Sequence, residues 1–212
     1  MRRVVASKGQ AAIAALNNIA TSNPQNIMPR INSINAATAS PEQQQILANV
    51  TKAMGGVPNL VSTLAQSPAA ANAYLAFNGA LAKGSLSAKL REQISLVVGE
   101  TNSCDYCVAA HTMLGAKAGL SKDEVLDARS ATAPDEKSAA ALAFSRKIVS
   151  ERGIVSDSDV DGLREHGFTD GDIAEIVANT ALNIFTNYFN HIAATTVDFP
   201  AAPKLEAGTA AH

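Results

Sequence analysis

The sequence predicts an all-α fold, and three observations carry that reading. Alanine is abundant while aromatic residues make up only 4% and tryptophan is absent. That bias suits closely packed helices, because alanine costs no side-chain entropy and lets axes approach. Helix start and stop signals recur along the chain. No alternating β-branched stretch bounded by turns is found.

Taken in order, Ser40-Pro41-Glu42 supplies an N-cap, a proline at the first helical position and an acid in the first turn. This helix is expected to run through residues 46–54 and stop at Gly55-Gly56. Residues 58–66 read as a short helix, and Pro68 opens another that reaches Gly84. Ser87 caps a segment whose Leu90, Ile94, Leu96, Val97 and Val98 form an apolar face. Residues 99–102 are then expected to loosen the chain before a helix from about Ser103 to Ala118, which Gly119 ends. Ser121 to Glu124 has the capping-box pattern and opens a short helix to about Arg129. Pro134-Asp135-Glu136 begins a longer one that ends at Gly153. Ser156 to His166 is a further short helix, and Thr169 to Asp172 caps an apolar helix reaching towards His191.

At 212 residues the chain fits one domain with a proper core. Hydrophobic residues make up 47% and charged ones 17%, which fits a globular body. The domain is expected over residues 40–200, with an N-terminal arm at 1–39 and a disordered tail at 201–212. Residues 1–41 lack acids and carry Arg2, Arg3, Lys8 and Arg30 ahead of and after a short apolar run at 11–16. That is a weak targeting pattern, and Met28 is an alternative start. Net charge is −2 with no basic cluster, which argues against a nucleic-acid partner. No apolar run approaches the roughly 20 residues of a membrane span.

The two cysteines, Cys104 and Cys107, form a single CxxC. No others remain for a disulfide framework, so the pattern reads as redox or metal chemistry in a reducing, cytoplasmic setting. With His111 they are spaced i, i+3, i+7 and line one face of a helix. Helix-terminal N–H groups and the dipole favour Cys104 as the acidic thiol. His111, one turn from Cys107, favours Cys107. The two cues conflict. Glu92, on the preceding helix, is placed to orient His111 and raise its basicity, with Glu100 as the rival carboxylate. A metal reading takes Cys104, Cys107 and His111 as three ligands with His191 as a fourth, and leaves Glu92 unexplained. Tyr106 lies between the cysteines, either near the thiolate or simply packed. His166 and His212 carry no spacing signal.

Glu92 precedes Cys104 by twelve residues, as Glu175 precedes Asn187, so Asn187 and Asn190 fall where the first segment has its cysteines. The coincidence hints at two related helical hairpins, only the first of which keeps reactive groups. The run from Asn187 to His191 is a candidate lining for the same pocket.

Residues 90–121 resemble the core motif of the carboxymuconolactone decarboxylase superfamily, specifically its alkylhydroperoxidase D-like branch. That pattern is a glutamate on a helix, a CxxC that begins twelve positions later, three residues and a histidine, matched by Glu92, Cys104, Cys107 and His111. The resemblance implies an all-helical subunit assembled into trimers or hexamers, and a peroxidase that needs no cofactor. It implies Cys107 as the thiol that attacks the O–O bond of a hydroperoxide, Cys104 as its disulfide partner, and His111 with Glu92 as the proton relay. A lipoyl-type dithiol or a thioredoxin-like protein would then reset the disulfide. Tyr106 stands where the best-studied members carry histidine, although many relatives share the tyrosine. The alternatives are a lactone decarboxylase of the same superfamily, which has no evident need of a CxxC, and a non-catalytic helical oligomer that responds to redox state.

Overall fold

The computed structural model describes residues 28–205, and these contain helices and turns but no strand. The helices are α1 (Pro41–Met54), α2 (Asn59–Leu64), α3 (Pro68–Leu81), α4 (Ala88–Thr101), α5 (Asp105–Lys117), α6 (Lys122–Arg129), α7 (Glu136–Ser150), α8 (Asp157–Glu165) and α9 (Asp170–Ala193). The all-α reading is correct, and the capping signals explain the starts. Reciprocal capping boxes form at Ser40, Ser121 and Thr169, and at Ser156 the Asp159 carboxylate accepts from the Ser156 N–H and hydroxyl. Ser67 and Ser87 cap α3 and α4 through their hydroxyls.

Helix α4 is the axle of the bundle. Every residue from Gln93 to Gly99 is buried, as expected for a helix surrounded on all sides. It packs against α5, α6, α7 and α9. One apolar cluster joins α4 to the second half of the chain through Ile94, Leu96, Leu142, Leu163 and Ile176. A second joins α1, α2 and α3 to α5, and includes Ile46, Leu64, Cys104, Tyr106 and Cys107. The cysteines therefore belong to a packed core.

Two sequence expectations fail at the α4–α5 junction. Residues 99–102 do not form a loose loop, because α4 continues to Thr101. Ser103 is not the N-cap of α5, since it adopts a left-handed φ of 55° as the residue that ends α4. Cys104 does both jobs: its N–H donates to Gly99 O at 2.9 Å, closing α4, while its sulfur accepts from Cys107 N–H at 3.3 Å, capping α5. Gly99 punctuates nothing. A Cβ there would meet Val108 Cγ2 at 3.3 Å and Cys107 Cβ at 3.4 Å, so glycine serves close helix approach instead.

The twelve residues from Glu175 to Asn187 lie within the single 24-residue helix α9, whereas those from Glu92 to Cys104 cross a turn. The second segment is thus one helix and not a hairpin. Glu175 has its own task. Its carboxylate accepts from Ser85 N–H at 2.8 Å and Leu86 N–H at 3.1 Å, while Ser85 Oγ donates to Asp172. This clamp fixes the turn that launches α4. A Cβ on Gly84 would fall onto the Glu175 carboxylate.

Residues 1–27 of the expected arm, including the apolar run at 11–16, lie outside the described residues, as do residues 206–212. Arg30 and Ile31 donate their N–H groups to Ala193 O at 2.8 and 3.2 Å, and Pro203 O accepts from Arg129 Nη1 at 2.5 Å. Among the described residues no helix is long and apolar enough to cross a membrane.

Candidate active site

The α4–α5 hairpin sets Glu92 beside His111, with Glu92 Oε2 2.8 Å from His111 Nδ1. A carboxylate there is best satisfied by a proton on Nδ1, which leaves Nε2 free to act as a base. Glu100 takes no part in this pairing. It sits in the last turn of α4 and binds Arg129 Nε at 2.8 Å.

Cys104 and Cys107 are joined as a disulfide, with Cα atoms 5.3 Å apart, and both are buried. The two residues open in different directions. Cys107 lines a cavity of about 310 Å³ that also holds Glu92, His111, Tyr74 and Arg91. Cys104 lines a separate groove of about 470 Å³ with Glu100, Arg129 and residues 201–204. The structure thus brings Cys107, His111 and Glu92 together, with Cys104 bonded behind them.

Tyr106 also lines the cavity, but its hydroxyl is occupied. It accepts from Leu60 N–H at 3.0 Å, and the ring stands edge-on to Phe199. Burial, aided by the nearby Asp198, pushes its phenol well above the ordinary range. Tyr74 is pushed up to about 12, by burial first and then by the Glu92 carboxylate. Both tyrosines are therefore neutral walls at physiological pH.

Asn190 of α9 received no specific role from the sequence, which marked it by its offset from the second cysteine and within the 187–191 run named as a candidate lining. It is buried, lines the cavity, and donates Nδ2–H to Cys107 Sγ at 3.3 Å. Asn187 instead accepts from Asn102 at 2.9 Å and does not reach the cavity. His191 turns its Nε2 to Ser103 O at 3.3 Å, and His166 bonds Gly162 O at 2.7 Å. Among the described residues no three His, Cys, Asp or Glu side chains are grouped to hold a metal ion.

The model of the carboxymuconolactone decarboxylase family matches residues 68–150, which span the whole hairpin. Among solved structures, the chain is similar to the alkylhydroperoxidase AhpD core of an uncharacterized peroxidase-related protein from Ralstonia eutropha JMP134. The two are 28% identical with a TM-score of 0.73, covering 80% of this chain and 92% of that one. An uncharacterized peroxidase-related protein from Silicibacter sp. TM1040 is 26% identical with a TM-score of 0.67, covering 81% and 94%. The debrominase Bmp8, solved with 2,3,4-tribromopyrrole, is 18% identical with a TM-score of 0.68, covering 81% and 93%, and shares the fold. No curated protein matches the chain. Residues 68–150 thus match the carboxymuconolactone decarboxylase family, and the chain as a whole is similar in fold to the alkylhydroperoxidase AhpD core.

Proposed function

We propose that the chain is a thiol peroxidase that reduces small hydroperoxides through Cys107. The observation that supports this reading is the shared cavity, which Cys107 lines together with the hydrogen-bonded Glu92–His111 pair. In the reduced state, His111 Nε2 removes the Cys107 proton, directly or through water, while Glu92 stabilises the imidazolium. The thiolate attacks the terminal oxygen of the hydroperoxide and the O–O bond breaks. Cys107 becomes a sulfenic acid, and the leaving alkoxide takes the proton back from His111 as the alcohol departs. Cys104 then attacks the Cys107 sulfur, releasing water and forming the disulfide. A dithiol donor, lipoyl-type or a thioredoxin-like protein, restores both thiols and becomes a disulfide itself. No cofactor enters this cycle.

We place this cycle in the cytoplasm, because it needs a reducing pool. We also assign the working form to a homo-oligomer, trimer or hexamer. Support comes from α9, whose outer face exposes Val177, Phe185, Tyr188 and Ile192 in a continuous apolar stripe.

The test is Cys107→Ser, assayed for hydroperoxide consumption with a dithiol donor. Loss of turnover is expected, together with a sulfenic acid trapped on Cys107 in the Cys104→Ser variant. Undiminished turnover by Cys107→Ser defeats the reading.

A further inference from the structure

The cavity holds a polar group that the relay does not use. Asn190 is 4% exposed and comes from α9, outside the hairpin that carries the motif. Its Nδ2 lies 3.3 Å from Cys107 Sγ, the reacting atom. Its Oδ1 is buried and has no hydrogen-bond partner among the described residues. Buried acceptors are normally satisfied, and an exception in a cavity wall calls for a ligand. Asn187 also has an unpaired buried atom, Nδ2, but it does not line the cavity, so the same inference does not extend to it.

We propose that Asn190 is a further catalytic residue: its amide N–H holds the Cys107 thiolate and its free carbonyl oxygen receives the O–H of the incoming hydroperoxide. The inference rests on the peroxidase reading and deepens it by naming the group that orients the oxidant. An amide suits the task because it carries a donor and an acceptor side by side at one end. The donor favours the thiolate over the thiol, since a hydrogen bond to a charged acceptor outweighs one to a neutral one. The acceptor takes hold of the proton on the oxygen that will bond to sulfur, so the O–O bond points away from Sγ. That proton never leaves its oxygen: it begins in the hydroperoxide and ends in the sulfenic acid. The transferred electrons come from sulfur, and the alkoxide still takes its proton from His111.

The other titratable or charged groups lining the cavity are Tyr74, Arg91, Glu92, Tyr106 and His111. Glu92 and His111 are paired with each other, and the Tyr106 hydroxyl is engaged by Leu60 N–H. Asn190 is the side chain that hydrogen-bonds Sγ directly from another element.

The experiment uses the full chain, reduced, in a Cys104→Ser background so that Cys107 titrates alone. Two readouts are taken: the thiolate's ultraviolet absorbance against pH, and the rate of sulfenic acid formation with tert-butyl hydroperoxide against pH. Asn190→Leu removes both donor and acceptor. It should raise the Cys107 thiol pKa by about one to two units, the equivalent of losing one charge-assisted hydrogen bond. The rate constant extrapolated to full ionisation should remain about tenfold below that of the Asn190 parent, because the acceptor is gone. The isosteric Asn190→Asp covers the event that the leucine variant does not fold. It keeps an acceptor while removing the donor, so the thiol pKa should rise and the fully ionised rate constant should stay within a few-fold.

An unmoved thiol pKa in both variants overturns the proposal. So does recovery of the parental rate constant by Asn190→Leu once the thiol is fully ionised. If the parent thiol does not react with the hydroperoxide at all, the peroxidase reading falls and takes the acceptor role with it. The pKa readout would still decide the thiolate contact by itself.

Discussion

Glu92 Oε2 lies 2.8 Å from His111 Nδ1 across the α4–α5 hairpin, and each side chain keeps 22% of its surface exposed. Such a half-exposed pair contributes modestly to stability. Its value is positional, since it fixes which ring nitrogen faces the cavity. Glu92→Gln should therefore slow sulfenic acid formation on Cys107 by about ten- to a hundredfold. The same change should shift unfolding free energy by less than about 1 kcal/mol. Stopped-flow oxidation beside chemical denaturation separates the two effects, and a stability loss without a rate loss would make the pair structural.

Arg129 shows the opposite balance. Its side chain is buried to 6% exposure, binding Glu100 through Nε at 2.8 Å and Pro203 O through Nη1 at 2.5 Å. Arg129→Met should cost about 1–3 kcal/mol, less than a fully buried pair because Glu100 can reach water. Adding Glu100→Gln should recover part of that loss. A double-mutant cycle from urea unfolding reads the coupling, and strict additivity would show that the pair does not matter.

The clamp at the start of α4 makes stability depend on acid pH. Hydrogen bonding from Ser85 holds Asp172 down at about 2, and Ser85 N–H holds Glu175 below the usual carboxylate range. Their folded values lie below the unfolded ones of about 4. The stabilisation is therefore present above about pH 4 and is lost as pH falls towards 2. Asp172→Asn with Glu175→Gln should flatten the fall in melting temperature across that window. An unchanged slope would mean that other carboxylates set the acid limit.

Tyr106→Phe removes the acceptor for Leu60 N–H and leaves a buried donor unpaired, which should cost about 1–3 kcal/mol. Because the hydroxyl is turned to the backbone of α2, the rate of Cys107 oxidation should change by no more than a few-fold. A large rate loss with intact stability would give the phenol a direct role at the thiolate.

Much of this was legible in the chain. Serine, threonine and aspartate caps mark helix starts because their oxygens satisfy local N–H groups, and each expected start lies within a few residues of the observed one. An antiparallel hairpin made Glu92 and Glu100 both candidates to meet His111, and the family motif, not spacing alone, favoured Glu92. The α4–α5 junction was not legible. Gly99 resembles a breaker in one dimension, and only tertiary packing shows that it faces Cys107 and Val108. Asn190 was legible only as part of the 187–191 run, and its contact with the Cys107 sulfur was not, since a long-range contact from α9 leaves no local pattern. Near the other end of the same helix, Glu175 looked like an echo of Glu92, yet it clamps a turn.

The empty space at position 99 has a consequence for how sequence variation would score. Gly99 offers no side-chain atom to any reaction, yet a methyl group there would press on the Cβ of Cys107. Reaction rates fall steeply when reacting groups are displaced, by about a hundredfold for 1 Å. In a saturation screen selected on turnover alone, position 99 would rank with the cysteines despite its chemical silence. Selection on folding alone would also register larger side chains there, because they part α4 from α5, and any excess penalty on turnover would measure how closely position 99 constrains Cys107.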